Sequence, residues 1–235
     1  MDKTVAVLCV LWGDWPSGCP ALGPEYVRRL RDAVARNTTV PHEFACVTDR
    51  PDRIDRTIRT LPLTAPSRFG ILPKLSVYDP GNQIADRIVV FDLDSVVVGN
   101  LDDFLNYHGP FAVRRAIHPH CAARYKQVGG DSLAFPKGFG VREIWKPLTE
   151  RTTYFESISE GGDERAVYRD WLRKPGHPVD FWDTVCLGQY VSFKVHIRGE
   201  RPARPTEEMR LVSFHGRPSP HEVEHKYAWI RENWR

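Results

Sequence analysis

Apolar positions fall into short runs separated by polar, Pro- and Gly-rich stretches. Residues 4–11 form an almost unbroken apolar run, which reads as a buried strand, and 13–24 as a long loop. In 25–36, Tyr26, Leu30, Ala33 and Val34 recur at helical spacing. Residues 43–48 read as a second strand closed by a polar turn at 49–52, and 71–78 as a short helix with Pro73 in its first turn. The continuous run at 87–91 predicts a strand covered on both faces. An extended reading resumes at Ser95 and ends in the turn at Gly99-Asn100. Short strands follow at 111–114 and 132–135, helical patterns at 141–148 and 164–172, a last strand at 210–214 and a closing helix over 222–234. The stretches 118–130 and 173–206 read as irregular. This alternation predicts an α/β fold with a mainly parallel central sheet flanked by helices. No repeat, low-complexity segment or linker divides it, so 1–235 reads as a single domain.

Charge narrows the partners. The chain carries 33 basic and 30 acidic residues, a net +3, and the basic ones are scattered, so no nucleic-acid tail is expected. No run approaches the roughly 18–20 apolar residues of a membrane span, so no integral membrane segment is expected. Asp2 and Lys3 cancel in front of the first apolar run and no cleavage site follows, so that run reads as a strand and not a signal peptide. The five cysteines (Cys9, Cys19, Cys46, Cys121, Cys186) are widely spaced with no CxxC pair, which predicts reduced thiols and a cytoplasmic protein.

The most informative segment is Phe91-Asp92-Leu93-Asp94-Ser95. Strand alternation puts Asp92 and Asp94 on one face, at the carboxyl end where α/β folds bind ligands. Adjacent carboxylates repel unless a cation lies between them, and hard oxygen ligands suit magnesium or manganese. One reading is a haloacid dehalogenase-like phosphatase with Asp92 as nucleophile. That motif normally opens its fold, whereas about 90 residues precede it here, and Gly162-Asp163 is followed only by an adjacent Glu164.

The other reading is sugar transfer. A strand ending in Leu11-Trp12-Gly13-Asp14 is followed by Gly23-Pro24-Glu25-Tyr26-Val27, then by Phe44-Ala45-Cys46-Val47-Thr48-Asp49 and Pro73-Lys74-Leu75. After the Asp92–Asp94 triplet come Val97-Val98-Gly99-Asn100-Leu101-Asp102-Asp103-Phe104, Gly162-Asp163-Glu164, Val191-Ser192-Phe193-Lys194 and Phe214-His215-Gly216-Arg217-Pro218-Ser219-Pro220. This ordered set resembles the bacterial GT-A-fold glycosyltransferases related to glycosyltransferase family 8. The resemblance implies a GT-A-like, Rossmann-like domain, with a donor-binding part over about 1–105 and an acceptor or closing part over about 106–235. It implies transfer of a hexose from a nucleotide-diphosphate sugar, UDP-sugar favoured, to a saccharide or other hydroxyl acceptor with retention.

Residue by residue, the resemblance implies a manganese or magnesium ion held by Asp92, Asp94 and His215, with Asp94 and Asp163 as the catalytic pair. It places Asp14, Thr48, Asp49, Lys74, Asp131, Ser132 and Arg217 about the donor. Such enzymes often carry a lysine where this chain has Ser219, and Arg217 is the candidate to supply that charge. Glu164 and Arg165 also depart from the family's Gln-Asp. These departures keep open a third reading, a nucleotide-binding module without turnover.

Lys194 and His196 fall on one face of a strand reading, towards either acceptor or solvent. Trp171, Trp182 and Tyr190 either stack on a sugar or pack in the core. The aromatic face of the closing helix (Tyr227, Trp229, Ile230, Trp234) is expected to pack on the domain. His118-Pro119-His120-Cys121 lacks a partner set at metal-site spacing and reads as a loop.

Overall fold

The computed structural model describes residues 3–13, 22–65, 72–116, 128–150, 171 and 174–235. At the centre of a seven-stranded sheet lies β1 (Val5–Leu11), flanked in parallel by β2 (Glu43–Thr48) and β4 (Arg87–Phe91). Beyond β2 lies β3 (Arg59–Pro62), also parallel. On the far side, β7 (Val128–Pro136) runs antiparallel to both β4 and β6 (Ala112–Arg115), and β8 (Asp180–Phe181) closes the edge parallel to β6. The order is β3-β2-β1-β4-β7-β6-β8. A second sheet, β5-β10-β9, joins β5 (Ser95–Val97), β10 (Leu211–Ser213) and β9 (Tyr190–Ser192).

The strand predicted to be covered on both faces, β4, is so covered, and β1, read as a buried strand, is covered on both faces too. On one face Val7, Cys9, Leu11, Val89 and Phe91 meet helix α1 (Pro24–Arg36) and Val96, Val97, Leu211 and Val212 of the second sheet, forming one core. The α1 stripe of Tyr26, Leu30, Ala33 and Val34 is the buried one, with Val27 added. On the other face Ala6, Leu8, Val10, Ile88 and Val90 pack on Leu72, Leu75, Tyr78, Phe135, Phe139 and Ile144. Each fully buried Val, Leu or Phe contributes roughly 1.5–3 kcal/mol.

Several elements differ from the sequence reading. The strand expected at 132–135 extends to nine residues as β7. Gly129 and Gly130 disguise its first half, and the chain needs glycine there, because a Cβ on Gly129 would lie 2.3 Å from Arg114 Nη2. The irregular 173–206 stretch holds β8, a helical turn Trp182–Val185 and β9. Residues Phe193–Ile197 are not a strand but a helical turn, capped by Ser192 Oγ accepting from Val195 N at 3.4 Å. The closing helix is two helices, Pro220–Val223 and Ala228–Asn233. The break sets Trp229 6.2 Å from Phe193 and brings Trp234 to 4.7 Å from Tyr26, beneath Arg29, so the aromatic tail does pack on the domain.

Among the described residues no helix is long and apolar enough to cross a membrane. Cys9, Cys46 and Cys186 are free and buried; Cys19, Cys121, His118, His120 and the helix expected at 164–172 (Trp171 apart) lie outside the described residues.

Candidate active site

The parallel strands β1, β2 and β4 end at Leu11, Thr48 and Phe91, and the chain direction reverses its lateral course between β1 and β4. Crevices at such points are where open α/β sheets bind ligands. Asp49 Oδ2 accepts from the backbone N of Gly13 at 3.4 Å, so the ends of β1 and β2 are tied together. Arg50 lies over Gly13, where a Cβ would stand 2.1 Å from Arg50 Nη2. The sequence reading passed over Arg50 because a lone arginine in a polar turn carries no pattern. Thr48 is buried, its hydroxyl accepting from Arg50 N at 3.1 Å, while Asp49 is exposed. Asp14 lies outside the described residues.

Beyond β4 the chain does not continue as a strand. Asp92 N donates to Asp131 O at 3.0 Å, one step past the ladder, and Ser95 N then closes a turn on Asp92 O at 3.1 Å. Asp92 and Asp94 are therefore first and third residues of a turn, not strand neighbours on one face. Lys74 Nζ bridges Asp92 Oδ1 at 2.7 Å and Gly130 O at 2.8 Å. Asp94 is 8% exposed. Burial first, then the charges of Asp92 and Asp131, push its carboxyl up to about 7, with Lys74 opposing.

The second sheet brings His215 to the same end. Ser95 pairs with Ser213 across the antiparallel β5 and β10, so Asp94 on one chain segment and Phe214 and then His215 on the other lie beyond the same end of the pair. His215 adopts φ of +20°, and its Nε2 lies 2.6 Å from Ser192 Oγ. Burial lowers its pKa to about 4, leaving the ring neutral at pH 7. Beneath these groups Asp131 is 4% exposed and accepts from Arg114 Nε at 2.7 and 3.0 Å, Ser213 Oγ at 2.5 Å and the Tyr190 hydroxyl. Burial alone would raise its carboxyl; Arg114 and the hydroxyls outweigh that and hold it well below the usual range.

Among the described residues, no three His, Cys, Asp or Glu side chains are gathered closely enough to hold a metal ion as they stand. The donor chemistry nonetheless fits a hard divalent cation. Two carboxylates lie in one turn, Asp94 with its pKa raised by burial and by Asp92 and Asp131, and His215 presents an unprotonated imidazole. As they stand, Asp92 is held by Lys74 and His215 by Ser192.

The remaining expected residues divide. Ser132 is fully buried, its carbonyl accepting from Trp182 Nε1 at 3.2 Å. Arg217 is 63% exposed and points to Glu222 at 3.8 Å. Ser219 is fully buried, and the Glu222 carboxylate accepts from its backbone N at 2.7 Å and its hydroxyl at 3.0 Å. It caps the helix at Pro220 and does not face a ligand; Ser219→Ala is expected to cost about 1 kcal/mol in chemical denaturation. Trp182 is core, Trp171 lies 4.3 Å from Phe139, and Tyr190 serves Asp131. Asp163 and Glu164 lie outside the described residues.

No protein-family model matches the sequence, and no curated protein sequence does either. Solved structures do match. The galactosyltransferase LgtC, in complex with donor and acceptor sugar analogues, superposes with a TM-score of 0.63 over 97% of this chain and 96% of its own at 10% identity. The glycosyltransferase GlyE of Streptococcus pneumoniae TIGR4 gives 0.56 at 11% identity over 98% of this chain and 63% of its own. The bifunctional glycosyltransferase WbbM gives 0.56 at 12% over 94% and 47%. The chain has the GT-A glycosyltransferase fold. In that fold the β1/β4 crevice, Asp92, Asp94 and His215 share one end of the sheet.

Proposed function

We propose that this GT-A-fold chain is a metal-dependent glycosyltransferase moving a hexose from a nucleotide-diphosphate sugar, UDP-sugar favoured, to a saccharide or other hydroxyl acceptor, with retention. What supports it is that the turn carrying Asp92 and Asp94 leads into β5 beside β10, the strand that leads to His215, at the end of the sheet where such folds bind ligands. Asp92, Asp94 and His215 would hold a manganese or magnesium ion. When bound, such an ion offsets the negative charge that builds on a leaving diphosphate.

The chain's own residues have definable tasks in this reading. Lys74 orients Asp92 through the contact to its Oδ1. The Arg114–Asp131 pair, through Ser213, fixes the strand that delivers His215. Thr48, Asp49 and Asp14 frame the nucleoside at the ends of β1 and β2, Ser132 backs the sugar pocket, and Asp163 addresses the donor sugar. The acceptor's proton passes to the departing diphosphate, so retention needs no separate base. The reading assigns the protein to the cytoplasm and treats 1–235 as one catalytic domain.

Thermal unfolding with UDP, GDP, ADP and CMP, each with and without manganese, tests it. At about 100 times its dissociation constant a ligand adds ~2.7 kcal/mol. A manganese-dependent upward shift with UDP, absent in Asp94→Ala, is expected. No shift with any nucleotide, together with Asp92-dependent release of phosphate from simple monoesters, would replace this reading with the phosphatase.

A further inference from the structure

We propose that Lys194, rather than Arg217, is the cation that meets the donor's diphosphate. This rests on the donor reading above and names the residue that completes that site.

Lys194 sits on the helical turn Phe193–Ile197 that follows β9. Its Nζ donates to the carbonyl of His215 at 2.8 Å, a neutral acceptor. Among the described residues no carboxylate lies within ion-pair distance of it. An ammonium has three N–H donors, so two remain. The neighbouring cations are committed elsewhere: Lys74 to Asp92 at 2.7 Å, Arg114 to Asp131 at 2.7 Å, and Arg217, mostly in solvent, towards Glu222 at 3.8 Å. Lys194 thus differs from Lys74, Arg114 and Arg217 in having no carboxylate partner among the described residues.

The position is also held rigidly. Phe193 stacks on Phe214 at 4.4 Å, so the residues just before Lys194 and just before His215 are packed ring on ring. Ser192 Oγ lies 2.6 Å from His215 Nε2, which staples the two turns a second time. Gly216 passes beneath the ammonium, where a Cβ would stand 3.6 Å from Nζ. Burial lowers the proton affinity of Lys194, and the charge of Asp94 works against that loss.

Charge balance points to the ligand class. Asp92, Asp94, Lys74 and a divalent cation together leave one positive charge against the two negative charges of a diphosphate diester, and the Lys194 ammonium supplies the second. A compact, strongly hydrated ammonium suits a phosphate oxygen as a point charge. Ser219, where the resemblance expects a lysine, is buried in a helix cap and supplies no charge.

Calorimetric titration separates the possibilities, with UDP and manganese, inorganic pyrophosphate and manganese, and uridine alone as probes. Melting without ligand verifies that each variant is folded. Lys194→Gln is expected to weaken UDP and pyrophosphate binding about 10- to 100-fold, and to leave any uridine binding as in the wild type. Lys194→Arg should recover most of the loss, and Arg217→Gln should cost less than about threefold, as an exposed charge does. Wild-type affinity in Lys194→Gln, or an equal loss in Arg217→Gln, overturns the assignment and leaves the donor site standing. A wild type that binds neither UDP nor pyrophosphate with manganese removes the donor site and this assignment together.

Discussion

Asp94→Asn is expected to abolish turnover while making the metal-free protein more stable. The loss of activity should reach about a thousandfold or more, because a cation set against the leaving diphosphate supplies several kcal/mol of charge stabilisation. The gain in stability has a separate origin. The Asp94 carboxyl is raised to about 7 by burial and by Asp92 and Asp131, against an ordinary value of 3.8. Between pH 4 and 7 Asp94 therefore binds more proton in the folded chain than in the unfolded one and contributes a downward slope as pH rises, against the upward slope that His215 gives as it is freed of its proton. Above pH 7 the whole penalty is present, on the order of a few kcal/mol. Asparagine carries no charge to bury, so in chelator at pH 8 the variant should melt above the wild type and lose the downward slope. Manganese with UDP should reverse the ranking, stabilising the wild type alone. Denaturation across pH 4–8, with and without the ion, reads both effects; a variant less stable than the wild type in chelator would show that Asp94 is not a strained carboxylate.

That such a site could be suspected from the chain follows from how locally its pieces are written. The runs at β1 and, after Arg87, at β4 are apolar throughout and the α1 stripe repeats at helical spacing, so burial dictates these elements with little help from distant residues. Two acids directly after a buried strand have few structural excuses, which made Asp92 and Asp94 visible. Their geometry was less so. Strand alternation would place them on one face, but the Asp92–Asp131 backbone bond ends the ladder and turns the chain, and that bond depends on a strand 40 residues later. The same non-locality hid Arg114, whose partner lies on β7 behind two glycines that weaken any strand reading. Lys194 and His196 follow a strand and look like its continuation; Ser192, whose hydroxyl accepts from Val195 N, converts them to a helical turn. Ser219 shows the reverse case. Read against the family pattern it is a missing lysine, while its fit with Glu222 three residues on is a capping signature legible without any structure.

Breaking the Arg114–Asp131 pair should have the largest effect on stability of any single polar substitution described. Arg114→Met keeps the length and apolar stem of the side chain but leaves the Asp131 carboxylate buried against only hydroxyl donors, Ser213 and Tyr190. Removing one partner of a buried pair typically costs about 3–5 kcal/mol, mostly from the charge left behind. The pH dependence identifies that charge. With Arg114 present, Asp131 is held well below the usual carboxylate range, so its contribution is complete above about pH 4 and is lost as pH falls further. Without Arg114 burial dominates and the sign inverts: the carboxyl rises, and stability should increase as pH drops from 7 towards 4. Asp94 gives a slope of the same sign, so the comparison belongs in the Asp94→Asn background, where the arginine-containing chain should show the upward slope with pH that His215 gives and the methionine chain should depart from it downward. Adding Asp131→Leu removes the stranded charge and should recover part of the loss, making the double change less costly than the sum of the single ones. Because Asp131 also receives Ser213, two residues before His215, the recovered protein should still bind UDP with manganese more weakly than the parent carrying both charges and Asp94 intact. A double variant restored in both stability and manganese-dependent binding would show that the pair serves folding alone and does not help to position His215.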